Sequence, residues 1–301
     1  MKDYAKHIRS FIDYCKYHKN LSNKTIASYN VDLKQYEEFT KELDRQTLWE
    51  YIEHLNRKYK PKTVKRKIAT LKAFTHYLLI QDLIEINPFD KIEIIIKEPI
   101  LLPKTIPLPV IRRLLLHLYS KIDLASTEYM KMSAIRNAAI VELLFVTGAR
   151  IAEICTLSKE NIDLIGRKIK FYGKNSKERI ISIENASVIA LLERYTKLFE
   201  NEIADCNYFF VNKHRRRLSE QSVREMLKNS CTSCGISLHI TPHMFRHSFA
   251  TYLLEEDVDI RYIQQMLGHS SITTTQIYTH VTSSKQKEIL RTKHPRNKML
   301  I

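Results

Sequence analysis

The chain has 301 residues, of which 44% are hydrophobic, and its 49 Lys and Arg exceed its 33 Asp and Glu by a formal charge of +16. This composition excludes disordered and fibrous chains, the length favours about two domains, and every apolar run is too short to cross a membrane. The excess positive charge calls for a polyanionic partner, and nucleic acid is the first candidate.

The cysteines and the start of the chain indicate in which compartment of the cell the protein works. No apolar run follows the basic start, so we expect no signal peptide. The 5 cysteines are an odd number in a large chain, which favours reduced thiols over a disulfide framework. We therefore expect a cytoplasmic protein.

The first hundred residues predict four short helices joined by polar turns, because apolar residues recur near the 3.6-residue period. Ser22 is placed to cap the second helix, and Pro61 opens the fourth, where a first-turn proline is tolerated. The predicted buried stripes are Ile8, Phe11, Ile12 and Cys15; Ile26, Tyr29, Leu33, Tyr36 and Phe39; Trp49, Ile52 and Leu55; and Val64, Ile68, Leu71 and Leu78. Residues 1–98 are therefore predicted to form one helical module.

The start of the fourth helix is strongly basic, with seven cations and no acidic residue between positions 57 and 67. A charge run is usually a solvated face, but unpaired like charges at one helix end repel one another unless phosphates lie against them. We therefore predict DNA contacts from Lys62, Lys65, Arg66 and Lys72.

The segment 99–109 holds four of the 8 prolines. Proline stiffens the backbone and removes amide donors, so we predict an extended linker rather than a helix or an inner strand. A second domain, residues 110–301, follows it.

The second domain reads mostly as helix, with patterns over 111–119 and 135–146. Two β-prone runs, Lys168–Tyr172 and Arg179–Ile183, flank a polar turn that begins at Gly173, and this arrangement is typical of a hairpin. The predicted fold class is mainly α, with one small antiparallel β-sheet.

Glycine is scarce: the chain has 5, whereas average usage would give about 21. Such glycines either open the backbone near a ligand or simply end helices. Three of them stand within two residues of a basic group, in the pairs Gly148 and Arg150, Gly173 and Lys174, and Gly268 and His269.

These pairs lie in three sequence blocks: TGARIAEI from Thr147, GKNSKERIISI from Gly173 and LGHSSITTTQIYTHV from Leu267. A fourth block, TPHMFRHSFAT from Thr241, places His243 three residues before Arg246. In this order and spacing, the chain resembles the tyrosine recombinase (phage integrase) family, and its length is similar to that of the simple Xer-like members. The resemblance covers nearly the whole chain. It implies an N-terminal core-binding (SAM-like) four-helix bundle and a mostly helical catalytic domain.

The resemblance implies that Tyr278 is the nucleophile, which attacks a DNA phosphodiester and leaves a 3′-phosphotyrosine and a free 5′-hydroxyl. Arg150 and Arg246 would bind the non-bridging oxygens, and His269 would donate a further hydrogen bond. Two planar guanidiniums stabilise the charge of a phosphoryl transition state without a metal. A covalent intermediate stores the bond energy, so rejoining needs no ATP.

Proton transfer is assigned by the same resemblance. Lys174 would protonate the leaving 5′-oxygen, and His243 would assist proton transfer at the tyrosine. We expect Glu153 to orient Arg150, or to pair elsewhere on its helix, rather than to act as an acid. No cofactor is expected.

A zinc knuckle is the main competing motif, because Cys231, Cys234, His239 and His243 follow the spacing C-x2-C-x4-H-x3-H. However, His243 also lies three residues before Arg246, in a helical pattern that Pro242 opens. We interpret both cysteines as packing residues and expect no metal.

A basic turn, Lys213 to Arg217, precedes the next helix. In the family, a basic or glycine-containing turn at this place often touches the DNA backbone. We therefore predict phosphate contacts from Arg215, Arg216 and Arg217.

The resemblance also implies an assembly. The two domains would close a basic clamp around double-stranded DNA. A homotetramer, or a hetero-tetramer with a related recombinase, would exchange strands through a Holliday junction. In related recombinases the tail after the nucleophile packs into a neighbouring subunit, and for the 23 residues after Tyr278 docking in cis and docking in trans both stay open. No membrane is involved.

The biological role stays open between Xer-like resolution and mobile-element integration or excision. Two alternative functions are a type IB topoisomerase-like nicking and closing activity and a catalytically silent DNA-binding regulator. The separate N-terminal bundle and the long tail disfavour the first alternative. The presence of all six candidate groups disfavours the second.

Overall fold

The computed structural model describes residues 4–90, 92–97, 104–173, 178–204, 206–268 and 283–299. Packing divides the chain into two compact units, Met1–Leu101 and Leu102–Ile301, and each has its own hydrophobic core. Helices dominate both units and the strands form one small antiparallel sheet, which confirms the predicted fold class. No helix within the described ranges has the length and apolar character needed to cross a bilayer.

The first unit is built from the four predicted helices. Ser22 caps the second of them by accepting a hydrogen bond from the Thr25 amide at 3.2 Å, and Pro61 lies in the first turn of the fourth. Both terminal signals are therefore confirmed. The helices are α1 (Tyr4–Tyr17), α2 (Asn23–Phe39), α3 (Arg45–Lys58) and α4 (Pro61–Ile80).

The buried stripe of α3 differs from the prediction. Trp49 is 48% exposed, whereas Leu48, Tyr51 and Leu55 are buried. These three have the i, i+3, i+7 spacing of one helix face, and Trp49 lies outside it. The Tyr51 ring meets the Tyr36 ring edge-on with 4.8 Å between centroids, which fixes the rotation of α3 against α2.

Helix α4 divides the basic segment between two faces. The predicted DNA-contacting side chains are all exposed and recur at helical spacing along one face, whereas Lys67 is buried on the other. Ten residues of helix span about 15 Å, so this basic stripe is long enough to follow a stretch of DNA backbone. Its members are Lys62, Lys65, Arg66 and Lys72.

The buried side of α4 has an acidic partner from another helix. Asp32 of α2 accepts hydrogen bonds from Lys67 Nζ at 3.0 Å and from the Thr70 hydroxyl at 3.1 Å, and it also pairs with Arg66. Because a buried lysine and a buried carboxylate are stable only when paired, this contact fixes α2 against α4. Arg57 is paired as well, with Glu53 at 3.4 Å. The inference that the whole basic run is unpaired is therefore wrong for Arg57, Arg66 and Lys67.

The second unit is organised around one buried helix, α6, in which every residue from Ala138 to Thr147 is buried. A helix that is apolar on all sides belongs inside a core, and α5, α8 and α11 pack around this one. The helices of the unit are α5 (Leu108–Asp123), α6 (Glu128–Thr147), α7 (Ile151–Cys155), α8 (Ala186–Leu198), α9 (Glu200–Ala204), α10 (Glu220–Ser233), α11 (Pro242–Glu255), α12 (Ile260–Leu267) and α13 (Ser283–Lys293).

Helix α5 begins inside the segment predicted as linker. Pro107 caps it, and Leu108 and Pro109 form its first positions, so the last two residues of 99–109 are helical. Proline lacks an amide hydrogen, but the first turn of a helix has no acceptor for that hydrogen. The same property that predicts a linker therefore also suits a helix start.

The predicted hairpin is present. Strands β1 (Ile162–Asp163), β2 (Lys168–Tyr172) and β3 (Glu178–Ser182) pair antiparallel in that order. In the β2–β3 register Lys168 lies opposite Ser182, and Tyr172 lies opposite Glu178. The turn residues 174–177 lie outside the described residues.

The described part of the C-terminal tail packs onto its own unit. Arg296, in a short 3-10 helix after α13, is buried and bound by Glu142 of α6, with Nη2 to Oε1 at 2.7 Å and Nε to Oε2 at 2.9 Å. The Tyr119 hydroxyl donates to the same carboxylate at 2.9 Å. A buried, bidentate pair of this kind is strongly destabilised when one partner is removed, so the tail is firmly anchored.

His294 fastens the tail to the end of the same helix. Its Nδ1 accepts a hydrogen bond from the Arg296 amide at 3.0 Å, so the proton of the neutral ring lies on Nε2. Nε2 is 3.1 Å from the Phe145 carbonyl oxygen, in the last turn of α6. The carbonyls of a last helical turn have no partner within their helix, and His294 supplies one.

The buried His294 predicts a pH-dependent stability of the second unit. Burial lowers the pKa of His294 to about 4, whereas an unfolded histidine titrates near 6.5. Between these two pKa values the histidine is protonated in the unfolded state and neutral in the folded state. Lowering the pH from 7 to 5 therefore lowers the unfolding free energy by about 2 kcal/mol through this group. His294→Gln should remove most of that difference in urea unfolding followed by circular dichroism.

The chain supplies two controls for this experiment. The exposed His239 changed to Gln should keep the wild-type pH dependence. Trp49 is the only tryptophan and lies in the first unit, so its fluorescence follows the unfolding of that unit, whereas circular dichroism follows both units. Equal pH dependence of the wild type and His294→Gln by circular dichroism would contradict a buried neutral histidine.

Candidate active site

Half of the predicted catalytic residues fall where the structure describes the chain. Arg150, His243 and Arg246 are described, and all three belong to the second unit. The other three, Lys174, His269 and Tyr278, lie outside the described residues.

Arg150 follows a tight reversal at the end of α6. Gly148 ends the helix in the left-handed conformation, with φ +59°, and Arg150 is the N-cap of α7 two residues later. A Cβ on Gly148 would lie 2.8 Å from Leu267 Cδ2 and 2.9 Å from the Phe249 ring. Both the dihedral angle and the space therefore require glycine here, and Arg150 emerges directly from the helix end.

Glu153 holds Arg150 in place, as expected. The buried carboxylate accepts the Arg150 amide on Oε2 at 2.7 Å and the Arg150 guanidinium Nη1 on Oε1 at 3.0 Å. One side chain thus fixes both the backbone and the guanidinium of Arg150. The remaining guanidinium donors belong to a side chain that is 35% exposed.

A third arginine, for which the sequence motifs predict no role, completes this group. Arg179 of β3 donates Nη1 to Glu153 Oε1 at 2.8 Å and Nη2 to Oε2 at 2.7 Å, and its guanidinium lies 4.9 Å from the centroid of the Phe171 ring. Its side chain is only 8% exposed. The alternation of side chains along β3 could have indicated this role. Arg179 lies on the same face of the strand as the buried Ile181, and an inward-facing cation requires an acidic or polar partner.

Arg246 joins the ends of two helices. It is 5% exposed, and it donates Nη1 to the Gly148 carbonyl at 2.9 Å and Nη2 to the Leu267 carbonyl at 2.5 Å. Gly148 and Leu267 end α6 and α12, where unpaired carbonyls carry partial negative charge. Arg246 therefore holds the two glycine-terminated helix ends together.

The arginines raise the local positive potential. Burial and the charge of Arg150 lower the pKa of Arg246 to about 9. Burial by itself raises the pKa of Glu153, but hydrogen bonds and charge from Arg179 and Arg150 hold it below its ordinary value. Three guanidiniums and one carboxylate carry 3 − 1 = +2, so the site favours a bound anion.

His243 lies in the first turn of α11, three residues before Arg246 and therefore on the same side of the helix. Partial desolvation, together with the charges of Arg246, Arg224 and Arg150, lowers the pKa of His243. The imidazole is consequently neutral at pH 7 and able to accept a proton. The intervening Met244 and Phe245 are buried in the core.

The basic turn presents its arginines to solvent. Asn212 Oδ1 accepts the amides of His214 at 2.9 Å and Arg216 at 3.1 Å, and Arg215 has a left-handed φ of +57°. The turn therefore closes through its own backbone and Asn212, and the arginine side chains stay exposed. The exposed members are Arg215, Arg216 and Arg217.

The residues of the competing zinc motif differ in their surroundings. Cys231 is buried in the core, Cys234 is half-buried, and His239 is exposed. Within the described ranges, no three or more His, Cys, Asp or Glu side chains form a group that could hold a metal ion. The packing of Cys231 in the core is consistent with our interpretation of these cysteines.

Comparison with known proteins identifies the same two regions. Residues 116–285 match the Phage integrase family, and residues 8–82 match the Phage integrase, N-terminal SAM-like domain. A tyrosine recombinase of Agathobacter rectalis is 52% identical over 301 residues, with 98% of each chain covered. A tyrosine recombinase XerD of Halalkalibacterium halodurans is 35% identical over 98% of this chain and 100% of its own.

Two solved structures share the fold at low sequence identity. XerH site-specific recombinase in a pre-cleavage complex with its difH substrate has a TM-score of 0.67 at 22% identity, covering 92% of this chain and 83% of that one. A lambda integrase tetramer bound to a Holliday junction has a TM-score of 0.63 at 14% identity, covering 95% and 77%.

The integrase match spans more than half of the chain, and the 52% identical relative is aligned along nearly its full length. No comparison favours a topoisomerase or a silent regulator. This chain therefore belongs to the phage integrase family and is a tyrosine recombinase, an enzyme that cleaves and rejoins DNA in site-specific recombination.

Proposed function

We propose that Tyr278 is the nucleophile with which this recombinase joins two duplex DNA sites. The phenolic oxygen attacks the phosphorus, the bond to the 5′-oxygen breaks, and a 3′-phosphotyrosine and a 5′-hydroxyl result. The 5′-hydroxyl of the partner strand then attacks the phosphotyrosine, restoring the phosphodiester and the phenol. Because each step exchanges one phosphate ester for another, no nucleotide cofactor is consumed.

The arginine group around Glu153 is the observation that supports this reaction most strongly. Arg150, Arg179 and Arg246 exceed their one carboxylate by two positive charges, and Arg246 is held rigidly by two helix ends. A phosphoryl transition state gathers about two negative charges on its oxygens. Preorganised donors stabilise that charge without reorganising during the reaction.

Proton transfer completes the proposal. His243, neutral and adjacent to Arg246, takes the phenolic proton as Tyr278 attacks. Lys174 gives a proton to the leaving 5′-oxygen, and His269 donates a hydrogen bond to a non-bridging oxygen. Gly173 and Gly268, which immediately precede Lys174 and His269, follow the ends of β2 and α12.

The duplex contacts both units in this proposal. The basic stripe of α4 binds phosphates with Lys62, Lys65, Arg66 and Lys72, and the basic turn binds them with Arg215, Arg216 and Arg217. All seven side chains are exposed. Phosphate contacts of this kind set affinity and register but do not read sequence.

We further propose that four copies act on two paired sites in the cytoplasm. The relative named XerD favours an Xer-like role, and the similar lambda integrase structure is a tetramer on a Holliday junction. A hetero-tetramer with a related recombinase would also place four subunits on two paired sites. Recombination between two sites on one plasmid, as opposed to relaxation of a plasmid with one site, tests this assembly.

Changing Tyr278 to Phe should abolish covalent complex formation on a nicked suicide duplex that traps the cleaved strand. The phenol oxygen forms the bond, so its removal leaves no nucleophile. The reaction is run with EDTA and without ATP, and the adduct is measured on a denaturing gel. The exposed Tyr129 changed to Phe should form adduct at the wild-type rate. An adduct with Tyr278→Phe would refute the assignment.

Changing Lys174 to Ala should slow cleavage by about 10²–10⁴-fold, the usual contribution of a general acid. A substrate with a 5′-bridging sulfur should restore the rate, because a thiolate leaves without being protonated. Lys168→Ala, on β2 of the same hairpin, should respond equally to both substrates. A Lys174→Ala enzyme that stays slow with the sulfur substrate would exclude the general-acid role.

Lys62 and Lys72 changed together to Ala should lower the slope of log affinity against log salt by about 2, because each lost phosphate contact releases one fewer counterion. Binding is measured in the Tyr278→Phe background, so that no DNA is cleaved. Lys41→Ala is the control, since Lys41 is an exposed lysine of the same unit that lies outside α4. An unchanged slope in the double variant would remove α4 from the DNA interface.

A further inference from the structure

We infer that Arg179 is a positioning residue of the recombination reaction, which fixes and neutralises Glu153 so that Arg150 keeps its charge for the phosphate. The inference rests on the role proposed for Arg150. Arg179 donates both terminal nitrogens to Glu153, and only 8% of its side chain is exposed, against 35% for Arg150. Glu153 is therefore the contact through which Arg179 acts on Arg150.

Both arginines donate hydrogen bonds to the Glu153 carboxylate, but they do so in different ways. Arg179 binds both carboxylate oxygens in parallel, at 2.7 and 2.8 Å, which is the bidentate geometry that only a guanidinium achieves. Arg150 binds the same oxygens with one amide and one guanidinium nitrogen, at 2.7 and 3.0 Å. Arg179 thus holds the carboxylate from the interior, and Arg150 meets it from the side that is open to solvent.

Charge gives this arrangement a consequence for catalysis. If Glu153 had only Arg150 as a partner, the pair would be neutral, and a phosphate would compete with a buried carboxylate for the same guanidinium. Arg179 supplies the counter-charge instead, so Arg150 is oriented by Glu153 without being neutralised by it. Arg246 is sensitive to both neighbours, since the charges of Arg150 and Arg179 lower its pKa and that of Glu153 raises it.

Packing holds Arg179 in this position from two further sides. Its guanidinium lies against the Phe171 ring on β2, and a Cβ on Gly268 would be only 3.2 Å from Arg179 Cδ. Phe171 precedes the hairpin turn, and Gly268 ends α12. Arg179 therefore links α7, the hairpin and the end of α12, so the place of Glu153 is set by all three.

The test compares wild type, Arg179→Gln and Arg150→Ala on two nicked suicide duplexes. One has an ordinary scissile phosphodiester, and the other has a neutral methylphosphonate there. Arg179→Gln should form covalent complex about 100-fold more slowly on the phosphodiester, as for a displaced catalytic group, with duplex affinity within about threefold of wild type. On the methylphosphonate the rates of wild type and Arg179→Gln should differ by no more than about threefold. The neutral group develops less negative charge in the transition state, so the reaction depends less on Arg150.

A second arm removes the carboxylate charge. If Arg179 acts by neutralising Glu153, the double variant Arg179→Gln with Glu153→Gln should react about tenfold faster than Arg179→Gln alone, since paired residues are not additive. Lys170→Ala is the matched control, because Lys170 of the same hairpin pairs with Glu178 at 2.7 Å and makes no hydrogen bond to Glu153 in the described structure. This variant should react like wild type.

The outcomes separate the two proposals. If Arg150→Ala reacts like wild type, the role of Arg150 fails. If Arg150→Ala is slow but Arg179→Gln matches wild type, or is equally slow on both substrates, the inference about Arg179 is overturned. Should Arg179→Gln fail to fold, Arg179→Lys carries the same test, since an ammonium keeps the charge but loses the bidentate fork. Arg179→Lys should slow covalent complex formation less than Arg179→Gln does, and again on the phosphodiester more than on the methylphosphonate.

Discussion

The buried carboxylate of Glu153 is the interaction on which the site depends. A cluster of arginines in a protein interior repels itself, and one carboxylate shared by Arg150 and Arg179 makes the cluster stable without cancelling its charge. The result is a rigid excess of positive charge with one guanidinium at the surface. A site built to hold phosphate needs both properties, because flexible or neutralised cations would have to reorganise when the phosphate charge develops.

Helix α6 is the element of the second unit to which the residues around this site are attached. Its end carries Gly148, whose left-handed turn delivers Arg150 and whose carbonyl binds Arg246. The tail that follows the Tyr278 region returns to the same helix, where His294 binds the Phe145 carbonyl and Arg296 binds Glu142. The chain on both sides of the proposed nucleophile is thus held against the helix that ends just before Arg150, the first of the proposed catalytic arginines.

The charge of +16 falls into two physical classes. Buried cations such as Lys67, Arg179 and Arg296 each have a carboxylate partner and stabilise the fold. Other cations are exposed, and among them are those on one face of α4 and in the turn 213–217, which we propose meet DNA phosphates. Net charge alone predicts a nucleic-acid partner but does not separate these classes, because it depends on composition and not on burial.

The sequence by itself determined the four helices of the first unit, two of their end signals and the hairpin, because periodicity and end signals are local. Ser22, Pro61 and the first strand are where the sequence predicts them, and the second strand begins one residue earlier. The motif blocks likewise identified the family. Only the tertiary structure decided which charges are paired, since Lys67 meets Asp32 across 35 residues, Arg179 meets Glu153 across 26, and Arg246 meets the Gly148 carbonyl across 98. A repeat along the chain tells which face of a helix or strand turns inward. The partner on the opposing element is set by packing between distant segments, and for that reason the role of Arg179 emerged only from the folded chain.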